Sequence, residues 1–249
     1  MNYAPELQRS PTQRVLRPTW DRASKITPDI KGCLDSRTSN GCGSNLFQMV
    51  NRMAGRRRVS QGELLYCERD RFEFIYAVHS GSFKSTLALH DGSEQVKHFH
   101  VAGELLGLDG VADGCYASGA AALEDSEISM VSYAHLTELT GSLNDVQQAI
   151  IRLISHEIVR GNRHMVMLGS LNASQRLAAF LLNQSRELGA RGYSAVEFHL
   201  KMTRGDIGSF LGLTLETISR SFTDLHQQRL LKVDRRHIVI LDLDGLAKV

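Results

Sequence analysis

Three sets of residues in this 249-residue sequence have types and spacings that can do chemistry. The first is Glu216, Ser219 and Arg220, three and four residues apart, which share one face if the stretch after Thr214 is helical. Arg can grip guanine O6 and N7 in a bidentate pair, Glu can accept from cytosine N4, and Ser is adaptable. The trio therefore suits the reading of base edges in a DNA major groove. Thr203, Arg204, Thr217 and Arg229 lie around it and suit contact with the phosphate backbone. The second set is His98, His100 and Glu104, two imidazoles on one face of a strand plus a carboxylate, which is the donor set of a facial triad for iron or manganese. The third is the four cysteines, Cys33, Cys42, Cys67 and Cys115. Thiolates must converge on one small volume to hold a cluster, and these are scattered.

The first set needs two short helices and a tight turn. Residues 202–231, MTRGDIGSFLGLTLETISRSFTDLHQQRLL, predict them. Thr203 caps a helix through Leu211, Gly212 makes the turn, and Thr214 caps a second helix with Leu215, Ile218, Phe222 and Leu225 on its buried face. Such a helix-turn-helix lets the second helix lie in the major groove while the first bridges the backbone. Residues 230–243 predict two strands around Asp234-Arg235-Arg236, a small wing. Upstream, residues 174–188 predict a helix capped by Ser174, with Ala178, Phe180, Leu181 and Leu182 apolar. Before that, Leu143, Val146, Ile150, Leu153 or Ile154, Ile158, Met165 and Leu168 recur at helical spacing, which predicts one long helix. Its a/d pattern favours a dimer seam of Val146, Ile150, Ile158 and Met165.

The second set needs strands. From about Val59 to Ser132 short alternating runs, residues 74–78, 83–89 and 96–101 among them, are punctuated by glycine turns, the texture of a β-sandwich or barrel. All four prolines fall in the first 28 residues, and residues 1–43 are expected to form a flexible arm. Hydrophobic residues at 42% and charged residues at 22% exclude collagen-like, mucin-like and wholly disordered classes. The net charge of +2 hides a segregation: residues 1–60 carry +7, 61–169 carry −8, and 170–249 carry +3. Basic ends around an acidic middle suggest a polyanion partner held away from the centre. No run is apolar enough to span a membrane and no secretory core is seen, so a cytoplasmic protein with reduced thiols is expected.

Residues 202–222, MTRGDIGSFLGLTLETISRSF, resemble the helix-turn-helix of the cyclic-AMP-receptor/FNR family of bacterial transcription regulators, and of its FNR-like branch in particular. The segments IYAVHSGSFKS, DGSEQVKHFHVAGELLGLDG, ALEDSEISMVS and SQRLAAFLLNQSRELGARGYSAVEFHLKMTRGDIG extend the likeness, in order, over about residues 58–245. The resemblance implies an α+β fold in four parts: an arm at 1–43, a β-roll (double-stranded β-helix) sensor domain at 44–134, a dimerisation helix at 135–169, and a winged helix-turn-helix at 170–249. It implies a homodimer on double-stranded DNA, reading a palindromic operator with TTGAT-like half-sites through Glu216, Ser219 and Arg220. It further implies RNA polymerase as partner, a mainly activating role with repression where the site blocks polymerase, and an oxygen, redox or anaerobic-metabolism response.

The sensing chemistry departs from the family. FNR-type regulators hold a 4Fe-4S cluster through three closely spaced N-terminal cysteines and a fourth in the last β-roll strand. Here the arm holds only Cys33 and Cys42, Ser129 stands at the fourth position, and Cys115 is the one further candidate near them, so a cluster of that arrangement is not expected. The family's cyclic-AMP pocket would place Gly103 and Glu104 in an effector site, but residues 113–122 have no Arg to pair with a phosphate, and cyclic AMP is not expected either. The cofactor is thus unnamed by the sequence. A different class also matches: Gly92, His98, His100 and Glu104 fit the first metal motif of cupins, giving a metal enzyme or metal-sensing β-roll as the alternative, although the second cupin motif is missing. No catalytic triad, phosphate-binding glycine loop or paired zinc motif is present, and no enzyme activity is expected. Residues 56–58, all Arg, read as a solvated turn entering the first strand.

Overall fold

The structure, a computed structural model, describes residues 55–140 and 144–249. The expected arm, with Cys33 and Cys42, and the residue Leu143 lie outside the described residues. Eight strands come first: β1 (Arg56–Val59), β2 (Leu64–Tyr66), β3 (Phe74–Ser80), β4 (Ser82–Ala88), β5 (Glu94–Val101), β6 (Leu105–Leu106), β7 (Gly119–Ala122) and β8 (Ser126–Ser132). They pair antiparallel into two four-stranded sheets of order β1-β8-β3-β6 and β2-β7-β4-β5. The three arginines expected in a turn are β1 itself, paired with residues 127–129 of β8.

Alternation places Tyr76, Val78, Phe83, Leu106, Ile128 and Met130 between the sheets, where they form one core with Val59, Tyr66 and Tyr116. Tyr66 and Tyr116 stack at 3.9 Å, and the Tyr116 hydroxyl donates to Phe74 O at 2.8 Å. Gly81, at φ 83°, joins β3 to β4; a Cβ there would lie 2.0 Å from Ser126 Oγ, so no other residue fits. The other face of β3 and β8 is also apolar because helices cover it. Ile75, Ala77 and Val131 pack with Leu136 of α1 (Tyr133–Thr140) and Ala149 of α2 (Asn144–Ser170). The long helix expected from the apolar period of residues 143–168 is α2, which runs unbroken through Gly161.

The C-terminal part consists of α3 (Ala173–Ala190), β9 (Glu197–His199), α4 (Arg204–Leu211), α5 (Leu215–Gln227), β10 (Leu231–Asp234), β11 (His237–Ile240) and α6 (Leu243–Leu246). Asn172, not Ser174, caps α3: its Oδ1 accepts from Gln175 N and the Gln175 Oε1 accepts from Asn172 N, each at 3.0 Å. That reciprocal box satisfies two donors, which Ser174 inside the helix could not do. The expected wing is β10 and β11, with β9 as a third strand beside β11. Leu177, Leu181, Ile207, Leu211, Ile218, Leu225, Leu231 and Ile238 are wholly buried in its core. Val96, Phe99 and Leu123 of the strand domain join the same cluster, so the two parts share apolar packing.

Candidate nucleic-acid interface

Helix α4 begins where the sequence places it. Thr203 Oγ1 accepts from Asp206 N at 3.0 Å, and Asp206 Oδ2 accepts from Thr203 N at 2.9 Å. It ends at Gly212, which has φ 63° and supplies the left-handed residue that stops a helix. Gly208 lets the turn close: Leu213 N donates to Gly208 O at 2.8 Å, and a Cβ on Gly208 would come within 2.8 Å of Leu213 O. Thr214 then caps α5 by accepting from Thr217 N at 3.2 Å.

Along α5 the burial splits by face. Ile218, Ser221, Phe222 and Leu225 are buried, whereas Glu216, Ser219 and Arg220 are exposed. Leu215, expected on the buried face, is 59% exposed, because the core begins one turn further on at Ile218. Arg220 Nη2 donates to Glu216 Oε1 at 2.8 Å and Ser219 Oγ donates to Leu215 O at 2.8 Å, so the base-reading groups rest on one another and on their own helix. Three and four residues apart, they form one solvent-facing row on the first half of α5.

The flanking residues divide. Arg229 is exposed, in the left-handed conformation at φ 59°. Thr217 bonds to Thr214. Arg204 is half-buried with its guanidinium carbon 3.2 Å over the Phe222 ring, and Nη2 donates to Arg235 O at 3.1 Å. Burial lowers its pKa to about 10, and the residue ties α4 to α5 and the wing. Thr203, Arg204, Arg235 and Arg236 line one cavity at the start of α4. Sequence reasoning missed Arg176 of α3, which donates to Leu168 O at 2.6 Å, Leu171 O at 2.9 Å and Leu211 O at 3.0 Å. One guanidinium thus satisfies carbonyls at the ends of both α2 and α4.

Helix α2 carries an apolar row open to solvent. Ile151, Ile154, Ile158 and Met165 are 62%, 39%, 59% and 63% exposed. Their spacing of three, four and seven is that of a coiled-coil seam. Ile158 and Met165, two of the expected seam residues, are on this exposed row. Ile150 is not: it packs with Leu153 against Ile75, Ala77 and Leu136, since one residue turns a helix by about 100°. The side chain of Val146 lies outside the described residues.

His98, His100 and Glu104 come together. Glu104 Oε2 lies 3.8 Å from His98 Nε2 and 3.8 Å from His100 Nδ1. Arg160 of α2 reaches over from the helix, its Nη1 donating to His98 Nε2 and, at 3.4 Å, to Glu104 Oε1. Ser85 Oγ bonds the far nitrogen of His100 at 3.2 Å. Burial pushes His100 well below the usual imidazole value, helped by His98 and opposed by Glu104. Burial alone would raise Glu104, but the His98 imidazole beside it and the charges of His100 and Arg160 hold it down, at about 2.

Known proteins place this geometry. The Crp-like helix-turn-helix domain family matches residues 175–249, and the cyclic nucleotide-binding domain family matches residues 56–142. The chain is 40% identical over 205 residues to the fumarate and nitrate reduction regulatory protein of Escherichia coli K12, covering 82% of each chain. It is 36% identical over 234 residues to the transcriptional regulatory protein btr of Bordetella pertussis, covering 92% of this chain and 97% of that one. The chain belongs to the cyclic-AMP-receptor/FNR family of transcription regulators. Among solved structures, FixK2 from Bradyrhizobium japonicum superimposes with a TM-score of 0.72 at 31% identity, covering 78% of this chain and 96% of that one.

Membership in the cyclic-AMP-receptor/FNR family makes the protein a DNA-binding transcription regulator of the FNR-like kind and overturns the enzyme alternative: the cupin-like residues sit in a regulator's β-roll. Among the described residues no helix is long and apolar enough to cross a membrane. The family's cyclic nucleotide does not fit this chain. Glu104 is engaged by His98, His100 and Arg160, and residues 105–122 offer no Lys or Arg to a phosphate but do present Asp109 and Asp113. Of the cluster candidates, Cys33 and Cys42 lie outside the described residues, and Ser129, at the family's fourth ligand position, is fully buried with its Oγ 2.7 Å from His79 Nε2.

Proposed function

We propose that the protein acts as a homodimer in the cytoplasm, reading a palindromic operator with TTGAT-like half-sites and working mainly as an activator through contact with RNA polymerase. The observation that carries this reading is the row of Glu216, Ser219 and Arg220, exposed on a helix whose other face is anchored in the core. Arg220 reads guanine, Glu216 accepts from cytosine, and Ser219 adapts. Thr203, Arg204, Thr217 and Arg229, with the wing residues Arg235 and Arg236, supply backbone contacts. The seam of Ile151, Ile154, Ile158 and Met165 pairs two copies of α2 and sets two α5 helices about 34 Å apart, on successive major grooves. The names of relatives, the fumarate and nitrate reduction regulatory protein and the electron transport regulator A of Shewanella oneidensis, support a response to oxygen, redox state or anaerobic metabolism.

The test is fluorescence anisotropy on a palindromic TTGAT duplex and a scrambled one over a salt series. Wild-type protein should prefer the palindrome and weaken steeply with salt. Arg220→Ala should cost about 1–3 kcal/mol on the palindrome and relax base preference. Equal losses on both duplexes would assign Arg220 to the backbone, and salt-independent binding would overturn the reading.

A further inference from the structure

Among the described residues, His98, His100 and Glu104 form one group of three metal-capable side chains, with donor atoms all within 4.8 Å of one another. We infer that this trio binds a divalent first-row transition ion, such as zinc or ferrous iron, and that the ion competes for it with the guanidinium of Arg160.

The donor set is suited to such an ion, since imidazole and carboxylate together take zinc or ferrous iron and leave further positions open. Ligands of a tetrahedral zinc stand about 3.4 Å apart, a consequence of bonds of about 2.05 Å. Glu104 Oε2 lies 3.8 Å from each imidazole nitrogen and the donor atoms all lie within 4.8 Å of one another, so side-chain rotations of about an ångström close the site. His98 already points a lone pair at a cation: a guanidinium has only donors, so the Nε2 that meets Arg160 Nη1 must accept. His100 turns Nδ1 toward Glu104 while Ser85 holds its Nε2, the outer hydrogen bond that orients metal-bound histidines. His98 and His100 have side chains only 16% and 11% exposed, which shelters the site, yet Arg160 is 39% exposed and can withdraw to water.

Arg160 occupies the ion's place. It touches His98 and Glu104 and is the one member of the group contributed by α2, the others lying on β5 and the turn after it. Binding of an ion therefore releases α2 from β5 at this point. The role is that of an effector site, with no reaction at the ion. It stands on the geometry of β5 and α2 alone, independent of the DNA reading, and the titration below contains no DNA.

The experiment titrates Co²⁺, and Zn²⁺ in competition with it, into the metal-free full chain kept reduced. Cobalt held by imidazole and carboxylate gives weak visible d–d bands, whereas thiolate ligands add intense near-ultraviolet charge transfer. Wild-type protein should show the former. His98→Ala should lower affinity more than about 100-fold, since losing a ligand exceeds losing the group that orients one, and Ser85→Ala should weaken binding about tenfold. Arg160→Met, at a partly exposed helix position that tolerates replacement, should bind several-fold more tightly than wild type. Thiolate bands alone, unchanged affinity in His98→Ala, or Arg160→Met binding no tighter than wild type would each overturn the inference.

Discussion

Two arginine–glutamate contacts divide the molecule. On α5, Arg220 and Glu216 meet at 2.8 Å with side chains 71% and 81% exposed. Between α2 and the turn after β5, Arg160 and Glu104 meet at 3.4 Å with side chains 39% and 26% exposed, beside two sheltered imidazoles. The first pair is screened by water and contributes about 0–1 kcal/mol, so DNA can separate it at little cost. The second sits where charge is poorly screened, and whatever removes Arg160 must supply another cation. Exposure thus decides which pair is ready to be exchanged for a base and which waits for a ligand of matching charge.

The apolar support behind the first pair gives the largest expected effect. Phe222→Ala should cost about 3–5 kcal/mol in urea unfolding, because it empties a buried site and removes the ring under Arg204. Arg160→Met should cost clearly less; a larger loss there would mean that the polar pocket, not the apolar core, carries the fold. Next comes assembly. Ile158→Glu places charge on both sides of the seam and should yield monomers in sedimentation with weakened operator binding. Ile150→Glu should instead destabilise the β-domain, since its side chain packs inward. A still dimeric Ile158→Glu protein would move the seam elsewhere.

A smaller effect isolates the exposed pair. Glu216→Ala should change unfolding stability by less than about 1 kcal/mol while altering base preference; a larger stability loss would show that the pair is structural after all. The smallest concerns acid. Burial would raise Asp206, but hydrogen bonds from Lys84 and Thr203 and the Lys84 charge hold its carboxyl below the usual range. A depressed carboxylate stabilises above its unfolded pKa of about 3.9, and that contribution fades as pH falls through the lower folded value. Thermal unfolding from pH 7 to 3 should therefore converge for wild type and Lys84→Met at the acid end. Parallel curves would show that the Lys84–Asp206 bridge, 2.7 Å long, adds nothing.

The helix-turn-helix was legible because its rules are local. Caps at Thr203 and Thr214, the left-handed Gly212, and the three-four spacing of Ile218, Phe222 and Leu225 all act within one turn of the chain. The strands of the β-roll were legible for the same reason, through alternation and glycine turns. Errors arose where a neighbour in space decided the outcome. Ile150 faces its own sheet because α1 and β8 lie there, and Arg204 is half-buried because Phe222 lies under it. The histidine motif was visible, but its fourth member, Arg160, stands 56 residues from Glu104, and no local pattern links them. Arg176 escaped notice likewise, since the three carbonyls it serves belong to different elements.

Strand β5 carries His98 and His100 near its end and meets α4 near its beginning. Gln95 Nε2 donates to Ser209 O, Ser209 Oγ accepts from Val96 N at 2.8 Å, and Lys84 of neighbouring β4 bridges to Asp206. For anyone building hybrid regulators this redraws the unit of exchange. A graft of residues 203–249 alone would set Ser209 and Asp206 against a foreign strand, whereas a graft that brings the β4–β5 hairpin with it keeps both partners of every such bond.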